Sequence, residues 1–139
     1  MTSADHGPPG QIVVRIACLL NGGVMLIFGV WALALPASFA AMIDFPPYNE
    51  HLLHDLGAFQ IGIGVSLCLV VVWSDATAVV LVGFLAAGTI HVINHCIDHE
   101  LGGHAADSWA LALLVIVAAA GLIAQLRRRI PTKEAVRDR

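Results

Sequence analysis

Four apolar stretches, about 12–35, 56–73, 76–95 and 109–126, take up most of this chain and leave little else to fold. Each approaches the ~20 residues that a helix needs to cross roughly 30 Å of hydrocarbon. Lipid offers no partner to an open backbone, so such stretches must close their hydrogen bonds internally, as helices. The expected class is therefore all-α: a four-helix transmembrane bundle. Charged residues make up only 12% of the chain, against about 25% in a typical soluble domain. The mean hydropathy of +0.83 agrees. A length of 139 residues allows one domain.

The interruptions are chemically ordinary. Pro36, Pro46, Pro47 and Tyr48-Asn49 break the chain after the first span, and Leu52 to Leu56 can extend the second span by a turn. Ser74-Asp75 makes a very short connection between the second and third spans. Gly102-Gly103 follows the third, and Asp107-Ser108 offers an N-cap to the fourth. Residues 1–11 read as a mobile tail, 12–126 as the membrane domain and 127–139 as a basic tail. No internal repeat or low-complexity segment is evident.

Orientation follows from the cations. Arg15 lies near the start of the first span, and Arg127, Arg128, Arg129, Lys133, Arg137 and Arg139 follow the fourth. Four spans put both termini on one side, and the positive-inside rule makes that side cytoplasmic. The larger loops, 36–55 and 96–108, then face outward. A competing reading makes residues 15–40 a cleaved signal peptide with Ser38-Phe39-Ala40 at the cleavage site, although its apolar run is long and its leading segment poor in charge. The basic tail beside a membrane suits anionic lipid headgroups, and nothing resembles a nucleic-acid surface.

Cys18, Cys68 and Cys96 form no CxxC pair and cannot all pair with one another. They read as small apolar fillers, with a metal thiolate at Cys96 as the minor alternative.

Histidine is distributed very unevenly. Six of the seven (His51, His54, His91, His95, His99 and His104) fall at the outward end, with Asp44, Glu50, Asp55, Asp98, Glu100 and Asp107 and no Lys or Arg. Ionisable groups at a membrane boundary are costly, which makes them candidates for function. The short turn at Asp75 makes the second and third spans an antiparallel hairpin, so residues 55 and 95 should lie at similar depth. At about 100° per residue, Ala87, Gly88, Asn94, His95, Asp98 and His99 fall within about 80° of His91. On the second span His54, Asp55, Ala58, Gly62 and Ser66 fall within about 60° of His51. Small residues let membrane helices approach closely, so these stripes are expected to face the protein interior, and each other. The candidate site is His54, Asp55, His91, His95 and Asp98, flanked by Asn94 and His99. Asn21, beside Gly22-Gly23, is expected to make an interhelical hydrogen bond.

Several chemistries suit that set. Histidines at i and i+4, as at His91 and His95, share a helical face and could complete a zinc shell with a His or carboxylate from a facing helix. A nitrogen-rich set also suits copper or nickel. His91-Val-Ile-Asn-His95 has the spacing of a zinc-protease helix but lacks the Glu that would act as base. Alternatively the cluster senses protons, because histidine titrates near pH 6.5. A third reading is a haem- or quinone-contacting subunit of a membrane redox system, with His54 and His95 as axial ligands. A fourth is a structural partner in a membrane complex, or in a homo-oligomer, whose polar helix ends serve assembly. No nucleophilic triad, P-loop or dinucleotide fingerprint is present, so a non-enzymatic role is expected.

The stretch Tyr48-Asn49-Glu50-His51-Leu52-Leu53-His54-Asp55-Leu56-Gly57-Ala58 resembles a segment of uncharacterised actinobacterial membrane proteins that are DoxX-like in layout. Those have a later His-containing third helix, which His91-Val-Ile-Asn-His95 matches. His54 stands where that group often has Arg, which removes a cation able to pair with a carboxylate. The resemblance implies four spans and an association with membrane redox partners, and it assigns no established activity.

Overall fold

The computed structural model describes residues 9–129 and contains α1 (Pro9–Ala34), α2 (Pro36–Ile43), α3 (Glu50–Leu69), α4 (Thr77–Ile97) and α5 (Ala105–Arg129), with a single 3-10 turn, Ser74–Ala76, before α4. No strand occurs among the described residues. α1, α3, α5 and the stretch Ser74–Ile97 are long and apolar enough to cross a membrane. Large apolar side chains such as Ile27, Phe59, Val79 and Ile116 stand exposed around the outside, as a lipid-solvated bundle requires. Most of the expected tails, residues 1–8 and 130–139, lie outside the described residues.

The boundaries differ from the expected ones for local reasons. Pro36 cannot supply the N–H that would continue α1, and its restricted φ suits the first position of α2. This short helix was not anticipated within the 36–55 loop, and Ser38, Phe39 and Ala40 lie inside it. α3 begins early because the Asn49 side chain accepts the backbone N–H of Leu52 at 3.1 Å. α5 begins at Ala105 rather than beside Asp107-Ser108. Asp107 still serves that end, but by reaching back: its Oδ2 accepts the backbone N–H of His104 at 2.8 Å, one half of a capping box.

α1 is the central helix. It packs along α3 on one side and α5 on the other, and α4 packs mainly on α5. The α1–α3 contact is built on glycine. Gly22 lies against Gly64 and Gly29 against Gly57, so a Cβ at any of the four would press on backbone across the interface. The spacing of seven is the same on both helices, and the pairing runs antiparallel. Such close approach lets packing hold helices together where no hydrophobic effect acts between them.

α3 and α4 are joined by the short turn but touch at few points. Between them runs an open groove of about 410 Å³, with Ala58, Gly62 and Ser66 on one wall and Gly83, Phe84 and Ala87 on the other. The Ala58-Gly62-Ser66 stripe therefore faces Ala87 across a gap instead of in contact, whereas Gly88, the other small residue of the expected α4 stripe, faces Val115 of α5. A Cβ at Gly62 or Gly83 would meet nothing within 4 Å.

Two apolar clusters fill the bundle. Near the arginine end, Val14, Cys18, Leu67, Leu81 and Ala118 are buried together. Near the histidine end, Phe39 of α2 inserts beside Ala32 and Leu53. There Phe28, Trp31 and Phe39 meet edge to face, with centroids 5.7–6.2 Å apart. Both ends of the described chain lie together, where the Arg128 stem passes beside Gly10.

Candidate functional site

The two loops at the histidine end are joined by backbone. Gly103 N–H donates to the Asp44 carbonyl at 2.9 Å. Asp44 (φ 48°), Gly102 (φ 140°) and Gly103 (φ 84°) all have positive φ. At Gly102 a Cβ would also come within 2.8 Å of the Asp44 oxygen, so two separate constraints require glycine there.

Each of four histidines has a carboxylate close by. His51 Nε2 is 3.6 Å from Asp55 Oδ2, and His54 Nε2 is 3.9 Å from Glu50 Oε1. His99 Nε2 is 3.8 Å from Glu100 Oε1, and His104 Nδ1 is 3.8 Å from Asp107 Oδ2. These separations exceed hydrogen-bond length, and the partners are partly or largely open to solvent, so each contact adds little to stability. Every pair is formed within one helix, turn or helix start, and none crosses between helices. At the edge of the same region Tyr48 donates to Glu50 Oε2 at 3.3 Å. The Tyr48 phenol is held above its ordinary range, first by loss of solvation and then by the Glu50 charge and hydrogen bond.

His91 and His95 form a different kind of pair. Their rings stack, with centroids 4.8 Å apart and planes inclined by 30°. The one-turn spacing on α4 sets this contact. His95 is half-buried, seven residues on from Gly88, which faces Val115 of α5, and His91 is exposed one turn beyond the groove-lining Ala87. A point one Cβ out from Gly103 is 3.9 Å from His95 Cε1 and 3.3 Å from Asp107 Oδ2. Asp107 of α5 and His95 of α4 therefore both lie beside Gly103.

The five candidate ligands are thus divided. His91 and His95 are together. His54 turns to Glu50 and Asp55 to His51, both on α3. Asp98 and Asn94 are exposed at the end of α4, where Asp98 N–H donates to the Asn94 carbonyl. Among the described residues no three His, Cys, Asp or Glu side chains are grouped so as to hold one ion. His54 and His95, the axial pair a haem would need, stand on the two helices that scarcely touch. Cys18 is buried, Cys68 half-buried and Cys96 exposed, and none is in a disulfide.

Asn21 differs from expectation. Its Nδ2 donates to Ala17 O of its own helix at 2.9 Å, not across an interface. Its Oδ1 is buried without a partner, and so is Oε1 of Gln60 on α3. Gln60 and the buried Gln125 were not singled out from the sequence. An uncharged amide inside an apolar span carries a weaker signal than an ionisable group, although its burial is also costly. No protein-family model, curated protein or solved structure matches this chain.

Proposed function

We propose that this chain is a multi-pass protein of a bacterial plasma membrane, with both termini cytoplasmic, and that its outward histidine end responds to protons. Supporting the orientation are the cations at one end of the described chain and the absence of Lys and Arg at the other. Membership of a DoxX-like group rests on the segment from Tyr48 to Ala58 and belongs to the same proposal.

The observation that carries the proton reading is the contrast between two kinds of histidine contact. Protonation turns each His–carboxylate contact into an ion pair. It would place like charges on the His91–His95 stack, and like charges this close repel. Acidification would strengthen these four local contacts and open the stack. The other titratable groups at this end of the bundle are Glu50, His51, His54 and Asp55 on α3, Cys96 near the end of α4, and Asp98, His99, Glu100, His104 and Asp107 from there into α5. Asp44 and Tyr48 lie on the neighbouring loop.

Tryptophan provides the test. Trp31 and Trp109 lie toward the histidine end and Trp73 at the other. With 5-fluorotryptophan in the reconstituted protein, the Trp31 or Trp109 ¹⁹F resonance should move between pH 7.5 and 5.5 while Trp73 stays still. His91→Gln/His95→Gln should abolish the movement. Three invariant resonances in the wild type would end this reading.

A transition metal such as zinc or copper is the second reading. The stacked His91–His95 pair supports it by supplying two nitrogens, and a third ligand would have to move in. Elemental analysis showing stoichiometric metal in the wild type and none in the double variant would favour it over proton response alone.

A further inference from the structure

A second polar site lies at the opposite end of the bundle. There a partly open cavity of about 80 Å³ is lined by α1, the segment after α3, the start of α4 and the end of α5, with Arg15 and Arg128 exposed at its edge. Its polar lining is Gln11 and Arg15 from α1, Ser74 and Thr77 from the turn and α4, and Gln125 and Arg128 from α5. The lining contains two guanidinium groups and no Asp or Glu.

Several contacts set this lining in place. Gln125 is only 6% exposed, and its Oε1 accepts from Arg128 Nη1 at 3.4 Å. That bond engages the Gln125 amide oxygen and orients its NH2 to act as a donor. The Arg128 stem runs beside Gly10, where even a Cβ would come within 3.3 Å of Arg128 Cγ and Cδ. Thr77 is buried and its single O–H is shared between Ser74 O at 2.9 Å and Val70 O at 3.3 Å, which holds the turn closed. Arg129 Nη2 reaches across to Asp75 O at 3.1 Å and ties the end of α5 to the same turn. The Asp75 carboxylate is not part of the lining. Among the described residues neither Arg15 nor Arg128 forms an ion pair with a carboxylate.

We propose that the cavity between Arg15 and Arg128 binds a phosphate oxyanion. Guanidinium presents forked donors that match phosphate oxygens, and two of them, with carboxamides beside them, form a donor-rich wall. At roughly 30 Å³ per water molecule, the space suits one tetrahedral anion and is too small for a nucleotide. The adjoining surface exposes Val72, Trp73 and Leu126 as well as Arg127 and Arg129. A phospholipid headgroup can therefore enter the cavity while its acyl chains lie along the bundle. Free phosphate satisfies the same donors, and the experiment separates the two sources. The site is independent of the histidine end and stands or falls without it.

Native mass spectrometry of the delipidated full chain in detergent, with phosphatidylglycerol and phosphatidylcholine added in equal amounts, gives the first arm. The wild type should retain one phosphatidylglycerol at least fivefold over phosphatidylcholine. Arg15→Gln/Arg128→Gln should lose that preference, and Arg127→Gln, a cation outside the lining, should keep it. The second arm is thermal unfolding in lipid-free detergent with inorganic phosphate, using sulfonate buffer of equal ionic strength as the control. A saturable rise in Tm that the double variant lacks, without a phosphatidylglycerol preference, identifies a free-anion site. Arg15→Lys/Arg128→Lys keeps the charge but not the fork and should bind more weakly than the wild type. If the glutamine double variant does not fold, each single variant should show a partial loss. A wild type with neither lipid preference nor phosphate-dependent Tm overturns the proposal. So do folded glutamine variants that match the wild type in both arms.

Discussion

Gly29 and Gly57 face one another so closely that a Cβ on Gly57 would come within 2.7 Å of the Gly29 carbonyl oxygen. The Gly22–Gly64 pair repeats the arrangement two turns away. Replacing Gly29 or Gly57 by Ala should destabilise the bundle by about 1–3 kcal/mol, because backbone cannot yield as a flexible side chain can. Gly62→Ala and Gly83→Ala open onto the groove and should be neutral or stabilising by about 0.5–1 kcal/mol. Unfolding in mixed micelles measures all four. Equal effects at the two sets of positions would remove the α1–α3 glycine interface as the organising contact.

Asn21 spends its amide on its own helix and leaves Oδ1 buried without a partner. Asn21→Leu, similar in shape, should be neutral or stabilising by up to about 1 kcal/mol. The same unfolding assay tests this. A clear loss of stability would mean that Asn21 has a partner on another helix.

Thr77 is the buried hinge between the second and third spans. Thr77→Val preserves its shape but removes the hydroxyl that Val70 O and Ser74 O share, while Ser74 O keeps the backbone N–H of residue 77. The expected cost is about 1–2 kcal/mol. Proteolysis at the Ser74 turn should accelerate in parallel, and unchanged cleavage would show that Thr77 does not hold the turn.

Tyr48 is the chain's single tyrosine, so its ionisation can be followed directly by absorbance. Its pKa should lie above the ordinary value of about 10. The fold favours the neutral phenol, so the contribution of this contact is complete below that ordinary range and is lost as the pH rises through the elevated value. Glu50→Gln should lower the titration midpoint only in part, since lost solvation is the larger cause. A midpoint at the free-tyrosine value in the wild type would exclude the Tyr48–Glu50 contact.

The spans were legible in the sequence because crossing length and mean hydropathy are properties of a segment alone. So were the segregation of histidine and arginine and the His91–His95 contact, which depends only on one turn of one helix. Helix pairing was not legible. In lipid nearly every face is apolar, so hydropathy does not mark the face that packs. On α3 the sequence offers two rows of small residues, Ala58-Gly62-Ser66 and Gly57-Gly64. A shift of one residue rotates the choice by about 100°. Only the tertiary structure selects Gly57-Gly64, because those glycines meet matching glycines on α1, and this turns the row that contains His51 and Asp55 away from α1. The same selection leaves α3 and α4 apart and His54 distant in contact from the stack. Partners for the histidines therefore depend on close backbone approach between distant segments, which no single segment of the chain encodes.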